Sequence, residues 1–491
     1  MWRYKLPGFS LYYHDSCFVC IIHSVAISFD KTCKLLYGNK YLVAWVVLVV
    51  SVILSVFVRF PSGSPDEEVH YIRSQGIAGG QLLGYSKDGD KSKIGHDINS
   101  VDLEFINSYY RGDRSRPIST DWLSNSGGAD EGSGVYTINT SAAPYTPVPY
   151  IAHALAAKLA SLINVSSSVE FVMMRMGGAL LSLGVIFVAF KISPRKYKWT
   201  ILAIALIPMS IASFAAISTD GLTIASSLLF MAVLLAMIEK VRSKDLATKD
   251  LALLATSSLL LVGVKMPAFL MIALVLAFLI IFWKKIGRRH RIYLLATIFI
   301  TATLTLWWAF YAKDINTGAY WGRNTDTLEQ LKFIIAQPLV FARNLGYAIL
   351  NYNYLDMIYN NYANNPRFAA LPFLVNVIVM IGLALSSFVD RDYKKATIDK
   401  VRFYWSQVLL FGAVIGAIFV LLYLQFNPVG TPNEIAGVQP RYFIPFIGLL
   451  LMTPYTMRLS RSWRAFACVA PFIGVTVYLC FIIIQLSSVS V

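Results

Sequence analysis

The sequence predicts an all-α polytopic membrane protein of about eleven transmembrane helices, and three observations predict it. Of its 491 residues, 56% are hydrophobic and 14% charged, with a mean hydropathy of +0.59, the composition of an integral membrane protein. Apolar runs of bilayer-crossing length recur at 41–60, 169–190, 199–217, 221–238, 250–264, 267–283, 292–311, 369–388, 403–424, 442–458 and 464–486, the fifth and sixth being short. Basic residues collect in alternate connecting segments: 26 of the 43 Lys and Arg lie in six short stretches. Helices are the expected form because lipid offers no partner to an unpaired backbone group.

The basic stretches set the expected orientation. Lys191/Arg195/Lys196/Lys198, Lys240/Arg242/Lys244/Lys249, Lys284 to Arg291, Arg391 to Arg402 and Arg458/Arg461/Arg464 fall on the same side as residues 1–40. The positive-inside rule makes that side the cytoplasm, with 41–491 as the transmembrane domain and 61–168 and 312–368 as two long outer segments. The net charge of +16 then belongs to topology and to anionic membrane lipid, and gives no argument for nucleic acid. Residues 1–40 lack the pattern of a secretory signal, since Cys17 to Ile27 is a short apolar stretch with no small-residue cleavage site after it. Cys17-x-x-Cys20 has no second ligand pair at zinc spacing and reads as part of an interfacial amphipathic segment.

The first outer segment holds the residues of greatest chemical interest. Its middle, around Asp88-x-Asp90 and Gly127 to Gly134, has the Gly, Ser and charge content of a surface loop. From Pro147 to Val165 it turns moderately apolar. Counting that stretch as a span would invert every later loop, so it is expected to be a helix lying at the interface.

Ser64-Pro65-Asp66-Glu67-Glu68-Val69-His70 opens a helix where the chain has just left the lipid. Ser64 suits the N-cap, Pro65 the first helical position and Glu67 the third, closing a capping box. That pattern leaves His70 and Arg73 unexplained, although both share a helix face with Asp66 at i, i+4, i+7 spacing. A carboxylate, an imidazole and a guanidinium on one face suit a polar, anionic substrate. Three more candidates stand at outer helix ends: Asp220 in Ser218-Thr219-Asp220-Gly221, Lys265 in Lys265-Met266-Pro267 and Arg441 in Gln439-Pro440-Arg441-Tyr442. Asp220 also suits a helix cap, and Lys265 a side chain snorkelling to the interface. Guanidinium and ammonium groups are phosphate binders. Tyr347, Tyr352, Tyr354, Tyr359 and Tyr362, followed by Arg367, read as an interfacial belt or as the wall of a glycan or polyprenyl site.

The ordered set of short motifs resembles a family of predicted bacterial multi-pass membrane proteins grouped with the C-type (GT-C) glycosyltransferases. The pieces are Pro65-Asp66-Glu67-x-x-His70, Pro144-Tyr145-x-Pro147-x-x-Tyr150, Arg175, Ser218-x-Asp220, Lys265-x-Pro267 and Gln439-x-Arg441-Tyr442-x-x-Pro445. They span about 60 to 450, and Pro440 departs from the glycine expected there.

The resemblance implies a GT-C-like bundle and an inverting transfer of a hexosyl or pentosyl group. The sugar would come from a polyprenyl-phosphate carrier and pass to a cell-surface glycan or lipid acceptor, on the outer face of the plasma (inner) membrane. It implies catalytic roles for Asp66, Glu67 and His70, with Asp66 as base, and substrate-binding roles for Arg73, Tyr145, Tyr150, Asp220, Lys265, Arg441 and Tyr442. No nucleotide fingerprint is present, so neither ATP nor NAD is implied. No resident metal is expected, although Asp66, Glu67 and Asp220 offer oxygen ligands to a divalent ion. A transporter or flippase of lipid-linked glycan, or a glycan polymerase or ligase, are the other readings. A transporter would need polar residues across the midplane, whereas the charges here gather at helix ends.

Overall fold

The computed structural model describes residues 39–59, 61–84, 95–110, 135–139, 142–312, 326–359, 371–390, 396–431 and 435–487. The expectations for residues 1–38, Asp88/Asp90, Tyr362 and Arg367 lie outside these. The chain is a helical membrane protein, opening with α1 (Lys40–Val58). Leu42, Val46, Val50, Ile53 and Phe57 of α1 are exposed, while Ala44, Leu48, Val52 and Ser55 are buried, so one stripe faces lipid and the other the bundle.

A short turn leads to α2 (Glu67–Ala78). Then follow β1 (Gly95–Asn99), α3 (Ser100–Tyr110) and β2 (Val135–Asn139), with β1 and β2 antiparallel in the register Gly95↔Asn139. This two-stranded ribbon is an addition to the all-α expectation. It leans on α2, whose Gly76 leaves room for the His96 ring; a Cβ there would sit 2.6 Å from His96.

Next come α4 (Ile151–Leu162) and α5 (Ser167–Ile192). Helix α4 doubles back along the first part of α5, because Gly177 and Gly178 let Ala152 and His153 approach closely. The apolar stretch Val148–Leu162 is about 22 Å long, short of a bilayer crossing.

The expected span 199–217 is broken into α6 (Lys198–Ala205) and α7 (Pro208–Phe214), bent by 74°. Proline explains the break: it cannot donate into the preceding turn, and it holds Ile207 in extended backbone, ψ 128°. Helix α8 (Asp220–Ser243) is the central column, with 94% of its apolar window buried inside the protein. Helices α9 (Thr248–Val264) and α10 (Ala273–Phe282) pack against it, and α11 (Arg288–Ala312) packs on those two. The pair α12 (Thr327–Ala336) and α13 (Pro338–Leu350) is bent by 108° at Pro338. The last elements are α14 (Phe373–Leu385), α15 (Ile398–Phe426), α16 (Ile444–Leu451) and α17 (Arg461–Ser487).

Among the described residues seven helices are long and apolar enough to cross a membrane, or nine if each bent pair counts as one. Eight of the eleven expected spans are among these nine, the ninth being the bent pair α12 and α13 within the expected outer segment 312–368; the three that fall short are α9, with 17 residues, Phe373–Phe388, under bilayer length, and α16, which stops at Leu451, just before Pro454.

The two ends of the bundle differ chemically. At the end where α8 finishes, Lys240 pairs with Asp250, Lys400 with Glu239 and Lys285 with Asp399. At the end where α8 begins, about 36 Å away along its 24 residues, four expected site residues meet.

Candidate functional site

The turn before α2 departs from the expected capping box. Helix α2 starts at Glu67, and Asp66 occupies the cap position in left-handed backbone, φ 63°, with no side-chain cap hydrogen bond. Non-glycine residues rarely adopt that conformation, which concentrates where surrounding structure imposes it. In this conformation the Asp66 carboxylate meets Arg441, whose Nη2 donates to Asp66 Oδ2 at 2.7 Å across 375 residues of sequence.

The ion pair extends into a chain. Arg441 Nε lies 2.7 Å from Asp220 Oδ2, and Lys265 Nζ donates to Asp220 Oδ1 at 2.7 Å. Lys265 also sits over the Tyr442 ring, 4.2 Å from its centroid, and 6.0 Å from that of Tyr145. Burial opposes the charge of Lys265, but Asp220 outweighs it and holds the ammonium above the usual lysine range. Asp66, Asp220, Lys265 and Arg441 are thus one cluster, reached by four separate chain segments at helix ends. Asp220, Lys265 and Arg441 are nearly enclosed, while the Asp66 side chain is 41% exposed and forms the open edge.

His70 joins the same cluster from α2. Its Nδ1 lies 2.7 Å from the Tyr150 hydroxyl, and its ring is 5.7 Å from that of Tyr145. Burial pushes His70 down to about 4, against the pull of Asp66 and Asp220, so it is a neutral imidazole at physiological pH. The segment carrying Tyr145 is fixed from outside: Trp308 Nε1 donates to Pro144 O at 2.8 Å, and the Thr146 hydroxyl donates to Gly263 O. Pro440 begins the short helical turn Pro440–Phe443 that presents Arg441, a position where a missing N–H costs nothing. Tyr352 and Tyr354 back that turn, with ring centroids 5.4 and 5.3 Å from Phe443.

Two expected site residues are turned elsewhere. Glu67 stands at the first helical position and does not close a capping box. Both its side chain and that of Arg175 are fully buried, and Arg175 donates to it twice, Nε to Oε1 at 2.8 Å and Nη2 to Oε2 at 2.7 Å. Glu67 Oε1 further accepts from the Ile217 amide at 3.0 Å, tying α2 to the turn before Asp220. Arg73, also fully buried, donates to Leu82 O, Tyr145 O and His96 Nε2 at 2.8, 3.0 and 2.7 Å. Burial and the Arg73 guanidinium push His96 down to about 3, which keeps it a neutral acceptor. Glu67 and Arg73 therefore hold the walls in place while Asp66 and His70 face the cluster.

Glu68, part of the carboxylate run but assigned no role from the sequence, and Arg59 also stand beside the cluster. Burial, with Asp66 and Glu67 alongside, pushes Glu68 up to about 7, and among the described residues no ion pair ties it. Arg59 donates to Gly63 O at 2.7 Å and Ala212 O at 3.2 Å, closing the turn below the cluster. Three consecutive carboxylates were the available signal for Glu68; for Arg59 there was none beyond a cation at the end of a span.

Among the described residues no three His, Cys, Asp or Glu side chains gather as metal ligands. The three carboxylates that the sequence offers fit a metal poorly: Glu67 is committed to Arg175, and Asp66 and Asp220 already face Arg441 and Lys265.

Residues 48–450 match a family described as predicted membrane proteins, DUF2142. The chain belongs to the DUF2142 family. No curated protein and no solved structure matches it. The matched region takes in every member of the cluster, from Asp66 to Tyr442.

Proposed function

We propose that this DUF2142 protein is an inverting GT-C-type glycosyltransferase of the plasma (inner) membrane. It moves a sugar from a polyprenyl-phosphate carrier to a glycan or lipid acceptor on the outer face. The observation that carries this reading is the open-edged cluster itself. A partly exposed carboxylate, Asp66, is held at a helix start beside two buried cations, Lys265 and Arg441, at the bundle end opposite the basic ion pairs. The positive-inside rule puts the basic end in the cytoplasm and the cluster outside.

In this mechanism Arg441 and Lys265 receive the carrier phosphate, Arg441 exchanging one of its carboxylate contacts for a phosphate oxygen. Asp66 takes the proton of the acceptor hydroxyl as its oxygen attacks the anomeric carbon. The bond from that carbon to the phosphate oxygen breaks, its electrons leave with the phosphate, and configuration inverts. The neutral His70–Tyr150 pair and the Tyr145 and Tyr442 rings line the polar pocket for the sugar. A transporter or flippase is less favoured, because α8, the most enclosed helix, carries no charged residue between Asp220 and Glu239. A polymerase or ligase would share the carrier and the membrane side.

The test is Asp66→Asn in the full chain, assayed in membranes supplied with a panel of polyprenyl-phosphate hexoses and pentoses. Transfer should fall by roughly 10² to 10⁴, the contribution of a positioned acid or base, at unchanged protein level. Equal transfer by wild type and variant, or none by wild type with any donor, would remove the reading.

A further inference from the structure

The bent pair α12 and α13 lies in sequence between two contacts with the cluster's end of the bundle, and the transferase reading makes no use of it. Trp308, before it, donates to Pro144 O, and Tyr352, after it, packs on Phe443. The chain is therefore at the same end of the bundle on both sides of the pair. The pair is also too short to cross the membrane. Its limbs of 10 and 13 residues are about 15 and 20 Å long, and with a bend of 108° their far ends stand roughly 21 Å apart whatever the tilt. A hydrocarbon core is about 30 Å thick.

The anchor of the pair sets the level at which it sits. Gln330, fully buried, donates from Nε2 to Tyr423 O and Pro428 O at 3.2 and 3.3 Å and accepts from the Gly430 amide at 2.9 Å. The Phe341 ring stands 5.2 Å from that of Tyr423. Both limbs are thus fastened to the last turns of α15, which stops at Phe426. Lipid reaches this level, because Leu421, about half a turn before Tyr423, is 40% exposed. On α12, Leu328, Leu331 and Ile335 share one exposed stripe, with Glu329 and Lys332 on the stripe beside it; on α13, Leu339, Tyr347 and Leu350 share another. From Phe333 to Ala342 the chain carries no charge, and Lys332 and Arg343 bracket that run. Ile335 to Val340, around the bend, are all exposed.

We propose that α12 and α13 form an elbow bedded in the interface of the membrane leaflet on the cluster's side, with phospholipid as its partner. Leu331, Ile335, Leu339 and Leu350 enter the boundary between headgroups and acyl chains. Lys332 and Arg343 lay their stems along that surface and reach lipid phosphate, while Glu329, paired with Lys332, faces water. An uncharged bend with its apolar side chains open is costly in water and suits this boundary. Lipid is favoured over a protein partner because the elbow is fastened where α15 still faces lipid, and because cations bracket its apolar run. Tyr352 and Tyr354, which follow α13 directly, back the turn that presents Arg441, so the elbow ties that turn to the membrane surface.

The experiment uses the full chain in vesicles of phosphatidylethanolamine and phosphatidylglycerol. A photo-crosslinking amino acid in place of Leu339, in the otherwise natural chain, reports the partner by the mass of its adduct. For depth, a fluorophore is attached to Leu331→Cys, Leu339→Cys or Glu329→Cys after the five native cysteines are changed to Ala. The crosslinker should give phospholipid adducts. Fluorophores on Leu331→Cys and Leu339→Cys should be quenched at least twofold more by a nitroxide near the lipid headgroup than by one at the chain end, and that on Glu329→Cys by aqueous iodide instead. Stronger quenching of Leu339→Cys by the chain-end nitroxide would overturn the proposal in favour of a limb that plunges into the core. Iodide quenching of Leu339→Cys without a lipid adduct would overturn it in favour of a face left in water, and an adduct of twice the chain mass in favour of a second copy. Should the cysteine-free chain fail to fold, the crosslinker decides alone. None of these readouts depends on transferase activity.

Discussion

Replacing Glu67 by Gln is the sharpest test of how the three consecutive carboxylates divide their work. From sequence alone the swap is mild, because Gln completes a capping box as well as Glu does. The structure reverses that expectation. Glu67 and Arg175 are both fully buried and joined by two hydrogen bonds, and Arg175 also donates to Val56 O and Arg59 O. Gln at 67 keeps an oxygen for the Ile217 amide but presents an NH₂ to one arm of the guanidinium, leaving a buried positive charge without its counter-ion. Breaking a buried pair from one side costs about 3–5 kcal/mol, two to nearly four powers of ten in the folded-to-unfolded ratio. The Asp66–Arg441 pair has a carboxylate with 41% exposure, so Asp66→Asn should cost no more than about 1 kcal/mol. Reversible unfolding of the full chain in mixed micelles with rising SDS, followed by tryptophan fluorescence, separates the two. A Glu67→Leu/Arg175→Met double variant should recover part of the loss by removing both buried charges, but not all of it, since the Ile217 amide and the Val56 and Arg59 carbonyls lose their partners. If Glu67→Gln unfolds within about 1 kcal/mol of wild type, the structural assignment of Glu67 fails.

Other outcomes follow from the same geometry. Folded Glu68 keeps its proton up to about pH 7, whereas an unfolded glutamate loses it near 4.5, so wild-type stability falls as pH rises through that window. Glu68→Gln should match wild type at pH 5 and exceed it at pH 8; parallel pH–stability curves would contradict this. Gly177→Ala places a methyl group 2.6 Å from Ala152 O, a backbone atom that cannot rotate away, and should lower stability by about 1–3 kcal/mol in the same unfolding assay. Exposed Ser161 and Ser243 lie at opposite bundle ends, so in intact cells an impermeant maleimide should label Ser161→Cys and spare Ser243→Cys. The reverse labelling would invert the orientation.

Much of this was legible in the sequence, for reasons that particular residues make plain. Asp66, Asp220, Lys265 and Arg441 could be proposed as one site because each stands at a helix end on the side away from the basic stretches, and a bundle brings such ends together. The seven long spans were legible because a run such as Lys40–Val58 needs no tertiary context to be recognised. The division of labour within Asp66-Glu67-Glu68 was not. It depends on Arg175 and Arg441, more than 100 and 370 residues away, and no local pattern tells which carboxylate each will claim. The left-handed turn at Asp66 was hidden as well: local preference favours Ser64 as the cap, and the partner that Asp66 meets in this conformation is 375 residues away. Arg73 was misplaced because its partners are backbone carbonyls, which a sequence does not display.

The separation of 375 residues between Asp66 and Arg441 also has a consequence in time. A chain made at 5–20 residues per second presents Asp66 roughly 20–75 seconds before its cation is synthesised. Asp220 waits far less, since Lys265 follows 45 residues later. The nascent protein therefore passes through a stage in which the central column and its lysine are in place while Asp66 has no counter-ion. The site matures in a single late event, when the turn at Pro440–Phe443 reaches the surface and delivers Arg441.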